Sequence, residues 1–230
     1  MTAFGKSHGI TVEIAGCNIR LHPAFCTQNW EMIEAESYRA FAAAVRPGLV
    51  VFDIGAHIGT YTIIALKKLG PYGRVVAFEP DDLARRYLMQ HLEWNDGTER
   101  TTVRGICCGS SVGIESFYYA PNQADGMNSL LPVEGFEKKE IRVTTVDAEV
   151  TKSGLAPSII KIDVEGAEWE VLKGAELTLR QYHPSIFLSL HPAALKKIHT
   201  MPDMVLGWLG EREYHCKVIA IDHEIHVLAK

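Results

Sequence analysis

The stretch DIGAHIGTYT, residues 53–62, decides how the rest of the chain is read. It starts where the apolar run LVVFDI ends and leads into a second apolar segment of helical period. An acid, two glycines and a histidine therefore fall where a buried strand gives way to a helix. A turn of this composition lets a small molecule approach the backbone. A dinucleotide fingerprint, G-x-G-x-x-G, needs a middle glycine so that a pyrophosphate can sit against the helix N-terminus. Here Gly55 and Gly59 are present, but His57 stands at the middle position, where its Cβ and ring crowd a phosphate. Asp53, which opens the loop, suits a cationic ligand better than a pyrophosphate.

Downstream of this turn the pattern alternates. A helix around Tyr61 to Leu69, the strand RVVAFEP, a helix around Asp82 to Trp94 and the strand TTVRGICC follow in order. The stretch SIIKIDVEGAEWEVLKGAELTLRQYHPSIFLSLHP then gives a strand, a helix from about Ala167 to Tyr182 and another strand, and CKVIAID with EIHVLAK closes the chain as an antiparallel hairpin. Strands separated by helices imply an α/β fold, a mostly parallel sheet with helices on both faces. The alternation pauses between Val112 and Ala148, where IESFYYAP and EIRVTTV read as extra strands around the polar stretch PNQADGMNS, a candidate lid. Upstream, GITVEIAGCNIRLHP alternates as a β-hairpin and NWEMIEAESYRAFAAAVRPG reads as an amphipathic helix stopped by Pro47 and Gly48. The expected division is an N-terminal hairpin and helix extension, residues 1–46, and a domain over residues 47–230 carrying an insertion at 113–148.

Composition excludes several function classes. The 230 residues, 47% of them hydrophobic, suffice for a core of ordinary size. Lys and Arg total 23 against 28 Asp and Glu, a formal charge of -5, so no nucleic-acid or membrane partner is expected from electrostatics. The five cysteines are odd in number, without C-x-x-C spacing, and read as free thiols in a reducing compartment. MTAFGKSHGI has no apolar signal core, and no apolar run approaches the roughly 18 residues that span a bilayer. The expectation is a cytoplasmic protein whose partner is a small molecule.

In an open parallel sheet, ligands bind beyond the carboxyl ends of the strands. Asp53, Glu79, Asp163 and His191 each fall at such an end. Glu79, one strand-helix-strand unit after the glycine turn, can accept both hydroxyls of an adenosine ribose. Nicotinamide and S-adenosylmethionine sites share that feature, and the missing phosphate cradle favours S-adenosylmethionine. Cys107 and Cys108 end the third strand near the expected adenine edge, and Cys108 is counted with the cofactor residues. His191 and Asp163 are the candidate bases, histidine being nearest to neutrality by its ordinary pKa. Lys161 shares a strand face with Asp163 and reads as its ion-pair partner. Of the two acids that open the next helix, Glu165 is taken into the site, while Glu168 is explained by the helix dipole alone. Asp163, Glu165 and His191 offer oxygen and nitrogen donors to a hard divalent ion, but no compact ligand motif supports one and no metal is assigned.

VVFDIGAHIGTYT, VVAFEP and above all IIKIDVEGAEWEVLKGA followed by SIFLSLHP resemble the FkbM-type S-adenosylmethionine-dependent methyltransferases, over roughly Val45 to Lys230. The resemblance implies a Rossmann-like class I methyltransferase sheet of seven strands with the last-laid strand antiparallel. It also implies methyl transfer, commonly to an oxygen of a small metabolite or sugar. It places Asp53, Gly55, Gly59 and Glu79 at cofactor positions and Asp163, Glu165 and Gly166 in the motif after the fourth strand. His57 stands where the family usually has Asn, and Ser189 where it often has Glu, which leaves the base and the acceptor pocket open. The competing readings are a NAD-dependent oxidoreductase on a similar sheet and a non-catalytic nucleotide-binding module.

Overall fold

The computed structural model describes residues 9–26, 28–30, 33–121 and 128–230. The chain opens with a β-hairpin, β1 (Ile10–Ile14) and β2 (Cys17–Leu21), followed by α1 (Ala35–Ala44). Then come β3 (Val50–Ile54), α2 (Thr60–Leu69), β4 (Arg74–Phe78), α3 (Asp82–Trp94) and β5 (Thr101–Arg104). β6 (Cys107–Cys108), β7 (Gly113–Tyr119), β8 (Glu137–Thr144) and α4 (Val146–Ser153) lead to β9 (Ile159–Ile162). α5 (Glu168–Lys173), α6 (Glu176–Tyr182), β10 (Ser185–Leu190), α7 (Pro192–Lys197), α8 (Pro202–Gly210), β11 (Cys216–Ile221) and β12 (Ile225–Ala229) complete the chain.

Seven strands form the central sheet in the order β11-β12-β10-β9-β3-β4-β5. β3, β4, β5, β9 and β10 run parallel, and β12 lies antiparallel between β10 and β11. The inner strands are apolar along their length because both faces are covered, as a parallel sheet requires. On one face Ile63, Ile64 and Leu66 of α2 pack with Phe41 of α1, Leu88 and Leu92 of α3, and Ile14, Ile19 and Leu21 of the hairpin. On the other, Val171, Leu172 and Leu179 pack with Val205 and Leu209 of α8. The hairpin thus adds its apolar side to the core of the sheet.

Its docking is polar as well as apolar. The His22 amide donates to His91 Nε2 at 2.8 Å, so the His91 proton sits on Nδ1, which meets the Ile58 carbonyl oxygen at 2.8 Å. Asn95 pairs with both backbone groups of Arg20. Burial pushes His91 down to about 4, so the ring is neutral.

Two expected elements are cut. TTVRGICC is not one strand: the chain leaves the sheet at Gly105, where the Arg85 guanidinium fills the space a side chain would need, and Cys107–Cys108 pair instead with β8 in a separate sheet of order β6-β8-β7. The helix from Ala167 to Tyr182 is two helices, because Gly174 lies so close to the Gly109 carbonyl oxygen that an added Cβ would come within 2.0 Å of it. The inserted strands β7 and β8 pair antiparallel as expected. Of the candidate lid, residues 122–127 lie outside the described residues. No helix among the described residues is long and apolar enough to cross a membrane.

Candidate active site

β3 delivers the chain to Gly55, whose φ of +80° lies in the left-handed region that glycine adopts without strain. The amides of Gly55 and Ala56 both donate to the Phe78 carbonyl oxygen, at 3.1 and 3.0 Å, which ties the turn to the end of β4. A Cβ on Gly55 would lie 1.6 Å from the Asp163 carbonyl oxygen, so the ends of β3 and β9 can approach only over a glycine. His57 also has a positive φ, 51°, and its amide donates to Glu79 Oε2 at 2.7 Å. The Asp81 amide donates to the other oxygen, Oε1, at 2.8 Å. Glu79 is thereby set at the end of β4 with its carboxylate held by two backbone donors. Burial nonetheless pushes it from its ordinary 4.5 to about 7.

Beside these residues lies a cavity of about 270 Å³. Of the residues expected at the site, Gly55, His57, Glu79, Cys108, Asp163 and Glu165 line it. Asp53, Gly59 and His191 are not among the lining residues. Asp53 lies wholly buried behind the turn, where Thr62 Oγ1 donates to it at 2.5 Å and Lys161 Nζ stands 3.8 Å away. Gly59 starts α2 with φ +93°, and a Cβ there would meet Leu88 at 2.4 Å. Lys161 is the buried cation beneath the turn, donating to the Gly55 carbonyl oxygen at 2.9 Å and pairing with Asp163 Oδ2 at 3.3 Å. The expected ion pair is present. Burial alone would raise Asp163, but the charges of Lys161 and His191 outweigh it and hold the carboxyl low.

A second feature is the ring of acids around His191. Its Nδ1 meets Glu168 Oε1 at 2.9 Å, and its Nε2 lies 3.4 Å from Glu165 Oε2, 3.4 Å from Glu224 Oε2 and 3.8 Å from Asp163 Oδ1. Burial would lower the imidazole, yet the Glu168 hydrogen bond and the surrounding carboxylates raise it to about 10. Nε2 itself, and Glu224 Oε2 opposite it, are buried without a hydrogen-bond partner. Glu165 and Glu224 are pushed up to about 7 and about 8, mainly by burial.

The matched family model is the methyltransferase FkbM domain, over residues 53–216. The chain belongs to that family. Two curated relatives are methyltransferases by name: sdnD of Sordaria araneosa, 30% identical over 159 residues, covering 55% of this chain and 60% of its own, and the hexuronic acid methyltransferase AglP of Haloferax volcanii, 34% identical over 128 residues, covering 54% and 49%. The chain thus spans about half to three fifths of the length of those relatives. Among solved structures, a methyltransferase FkbM from Methylobacillus flagellatus superposes with a TM-score of 0.56 at 20% identity, over 83% of this chain and 49% of the other. A precorrin-6y C5,15-methyltransferase from Geobacter metallireducens gives 0.54 at 16% identity, over 90% and 93%. At these identities the superpositions speak for the fold, the class I methyltransferase sheet.

Three acids of this FkbM-domain site escaped the sequence reading. Glu34, before α1, lines the cavity and accepts the Tyr61 hydroxyl at 2.8 Å. Glu168 is fully buried, accepts the Gly166 amide at 2.8 Å and orients His191, more than a helix-dipole role requires. Glu224, in the turn between β11 and β12, lies beyond the family match, lines the cavity and stands 3.4 Å from His191 Nε2. Cys107 and Cys108 both line the cavity as buried thiols whose pKa burial raises, which favours the protonated form.

Proposed function

We propose that the protein transfers a methyl group from S-adenosylmethionine to a hydroxyl of a small, polar, sugar-type metabolite. The observation that carries this reading is the acid lining of the cavity: Glu34, Glu79, Asp163, Glu165 and Glu224 all face it, while the phosphate-binding glycine is replaced by His57. A sulfonium with an ammonium group is drawn into such a field, and the diphosphate of a nicotinamide dinucleotide or the backbone of a nucleic acid is repelled by it. Family membership and the hexuronic acid methyltransferase among the relatives support the same assignment.

The residues present fit the cofactor. The turn at Gly55 and His57 opens on the cavity, and Glu79 beside it offers its carboxylate to ribose hydroxyls. Bound there, the cofactor supplies an electrophilic methyl group. The protein's part is to align the acceptor, exclude water and take the hydroxyl proton. Asp163 is committed to Lys161, and the Nδ1 side of His191 to Glu168. Glu224 lines the cavity with a buried oxygen that has no partner, and we assign it the proton.

Calorimetry with S-adenosylhomocysteine and with NAD, followed by tritiated methyl transfer to pooled hydroxylated metabolites, tests the assignment. Binding of the homocysteine nucleoside and label in an acceptor are expected. Binding of NAD in its place would remove the reading in favour of an oxidoreductase.

A further inference from the structure

We propose that Asp163, Glu165 and His191 hold a divalent cation of the Mg²⁺ or Mn²⁺ class beside the cavity. The ligand atoms of these three residues all lie within 4.8 Å of one another. His191 Nε2 stands 3.4 Å from Glu165 Oε2 and 3.8 Å from Asp163 Oδ1, wrongly set in the first case and too far in the second for a hydrogen bond to be made. Donors that share one ion at about 2.1 Å stand roughly 3.0 to 3.5 Å apart, so the spacing suits an ion between them after small side-chain movements.

Nε2 is buried, points into the acids and has no hydrogen-bond partner, and the residue is only 8% exposed. A buried ring nitrogen without a hydrogen-bond partner is a costly arrangement unless it carries a proton in among the carboxylates or binds a cation in that proton's place. The opposite nitrogen is anchored on Glu168, itself held by the Gly166 amide, the second-layer carboxylate that fixes a metal-ligating imidazole. Lys161 pairs with Asp163 through Oδ2 and leaves Oδ1 turned to His191. Glu224 adds a further carboxylate 3.4 Å from Nε2. One imidazole with carboxylates and no thiolate is a donor set for a hard or borderline ion.

The role of the ion rests on the methyltransferase reading. A cation held here would polarise the acceptor hydroxyl; the O–H bond gives its proton to the Glu224 carboxylate and the oxygen's electron pair forms the bond to the methyl carbon, while the methyl–sulfur bond breaks with its electron pair passing to the sulfonium sulfur, which leaves as the neutral thioether. The site itself is tested without turnover. The chelator-treated protein is titrated with MnCl₂ and followed by electron paramagnetic resonance, with pulsed detection of nitrogen coupling. Saturable binding of one equivalent below roughly 1 mM with coupling to one imidazole nitrogen is expected. In folded His191→Gln that coupling should vanish and in Asp163→Asn affinity should fall about tenfold to hundredfold. No saturable binding, or an unchanged nitrogen signal in His191→Gln, overturns the site. S-adenosylhomocysteine binding, measured on the metal-free protein, separates the two readings: if the nucleoside binds and Mn²⁺ does not, only the cation falls, and the reverse result removes the methyltransferase assignment.

Discussion

Changing Glu79 to Gln keeps the side chain's size, removes its charge and sets an NH₂ where one carboxylate oxygen accepts a backbone amide, so it tests the charge and the seating of the carboxylate together. In the free protein burial raises Glu79 from 4.5 to about 7 even though the His57 and Asp81 amides both donate to it. A ribose whose hydroxyls donate to the ionised form pulls that value back down. The sign follows: the carboxylate must lose its proton before it can bind, so affinity is full above pH 7 and falls as pH drops through the free-state value. If binding restores the ordinary carboxyl value, the loss between about pH 8 and about pH 5.5 is roughly thirtyfold. Charge-assisted hydrogen bonds contribute about 1.5 to 3 kcal/mol, so Glu79→Gln should weaken S-adenosylhomocysteine about tenfold to hundredfold near pH 8. The same change should flatten the pH dependence. Calorimetric titrations of both proteins across that range measure each quantity, with circular dichroism as a check on folding. An unchanged affinity at pH 8, or an equally steep pH dependence in the Gln variant, would refute the ribose assignment.

Glu224→Gln should lower turnover by about a hundredfold to ten-thousandfold with little change in S-adenosylhomocysteine affinity, since a base acts in the transition state. Adding Ser189→Glu to that variant should recover part of the loss, and a single variant with normal turnover would remove Glu224 from the mechanism. His91 is held neutral at about 4 against an ordinary 6.5, so its contribution to stability is intact above pH 6.5 and is lost as pH falls towards 4. That loss amounts to at most roughly 3 kcal/mol, and urea melts of His91→Gln should show a correspondingly shallower acid decline; the same decline in both proteins would count against it. Gly55→Ala, with φ +80° and its Cβ driven to within 1.6 Å of the Asp163 carbonyl oxygen, should cost about 2 kcal/mol or more in the unfolding free energy read from urea melts. A neutral result would mean that the ends of β3 and β9 do not approach as closely as the structure has them.

What was legible in the sequence was what local chemistry writes down. The strand ends at Asp53, Glu79 and Asp163 are marked by apolar runs that stop, and Gly55 by a turn that must pass close to another backbone. The break of the long helix was not legible, because its cause, the Gly109 carbonyl oxygen against Gly174, is a contact between distant parts of the chain. α7 and α8 each start on a proline, Pro192 and Pro202, a first-turn signal that was present and went unread. Glu168 illustrates a different limit. Its place in the first turn of a helix is a sufficient local reason for an acid, and sufficiency hid the hydrogen bond to His191.

Ser189 shows how a departure from a family pattern can be read once the fold is known. The resemblance leads one to expect an acid at that position on β10, and the serine there looks like a loss. In the structure β12 pairs with β10 so that Ser189 faces His226, and the turn before β12 brings Glu224 back over the same strand. Glu224 comes within 3.4 Å of His191 Nε2. A carboxylate therefore stands beside the imidazole after all, delivered from the closing hairpin instead of from β10. A side chain rooted in a turn reaches the cavity from another angle than one rooted in the strand, so the same charge is presented in a different direction.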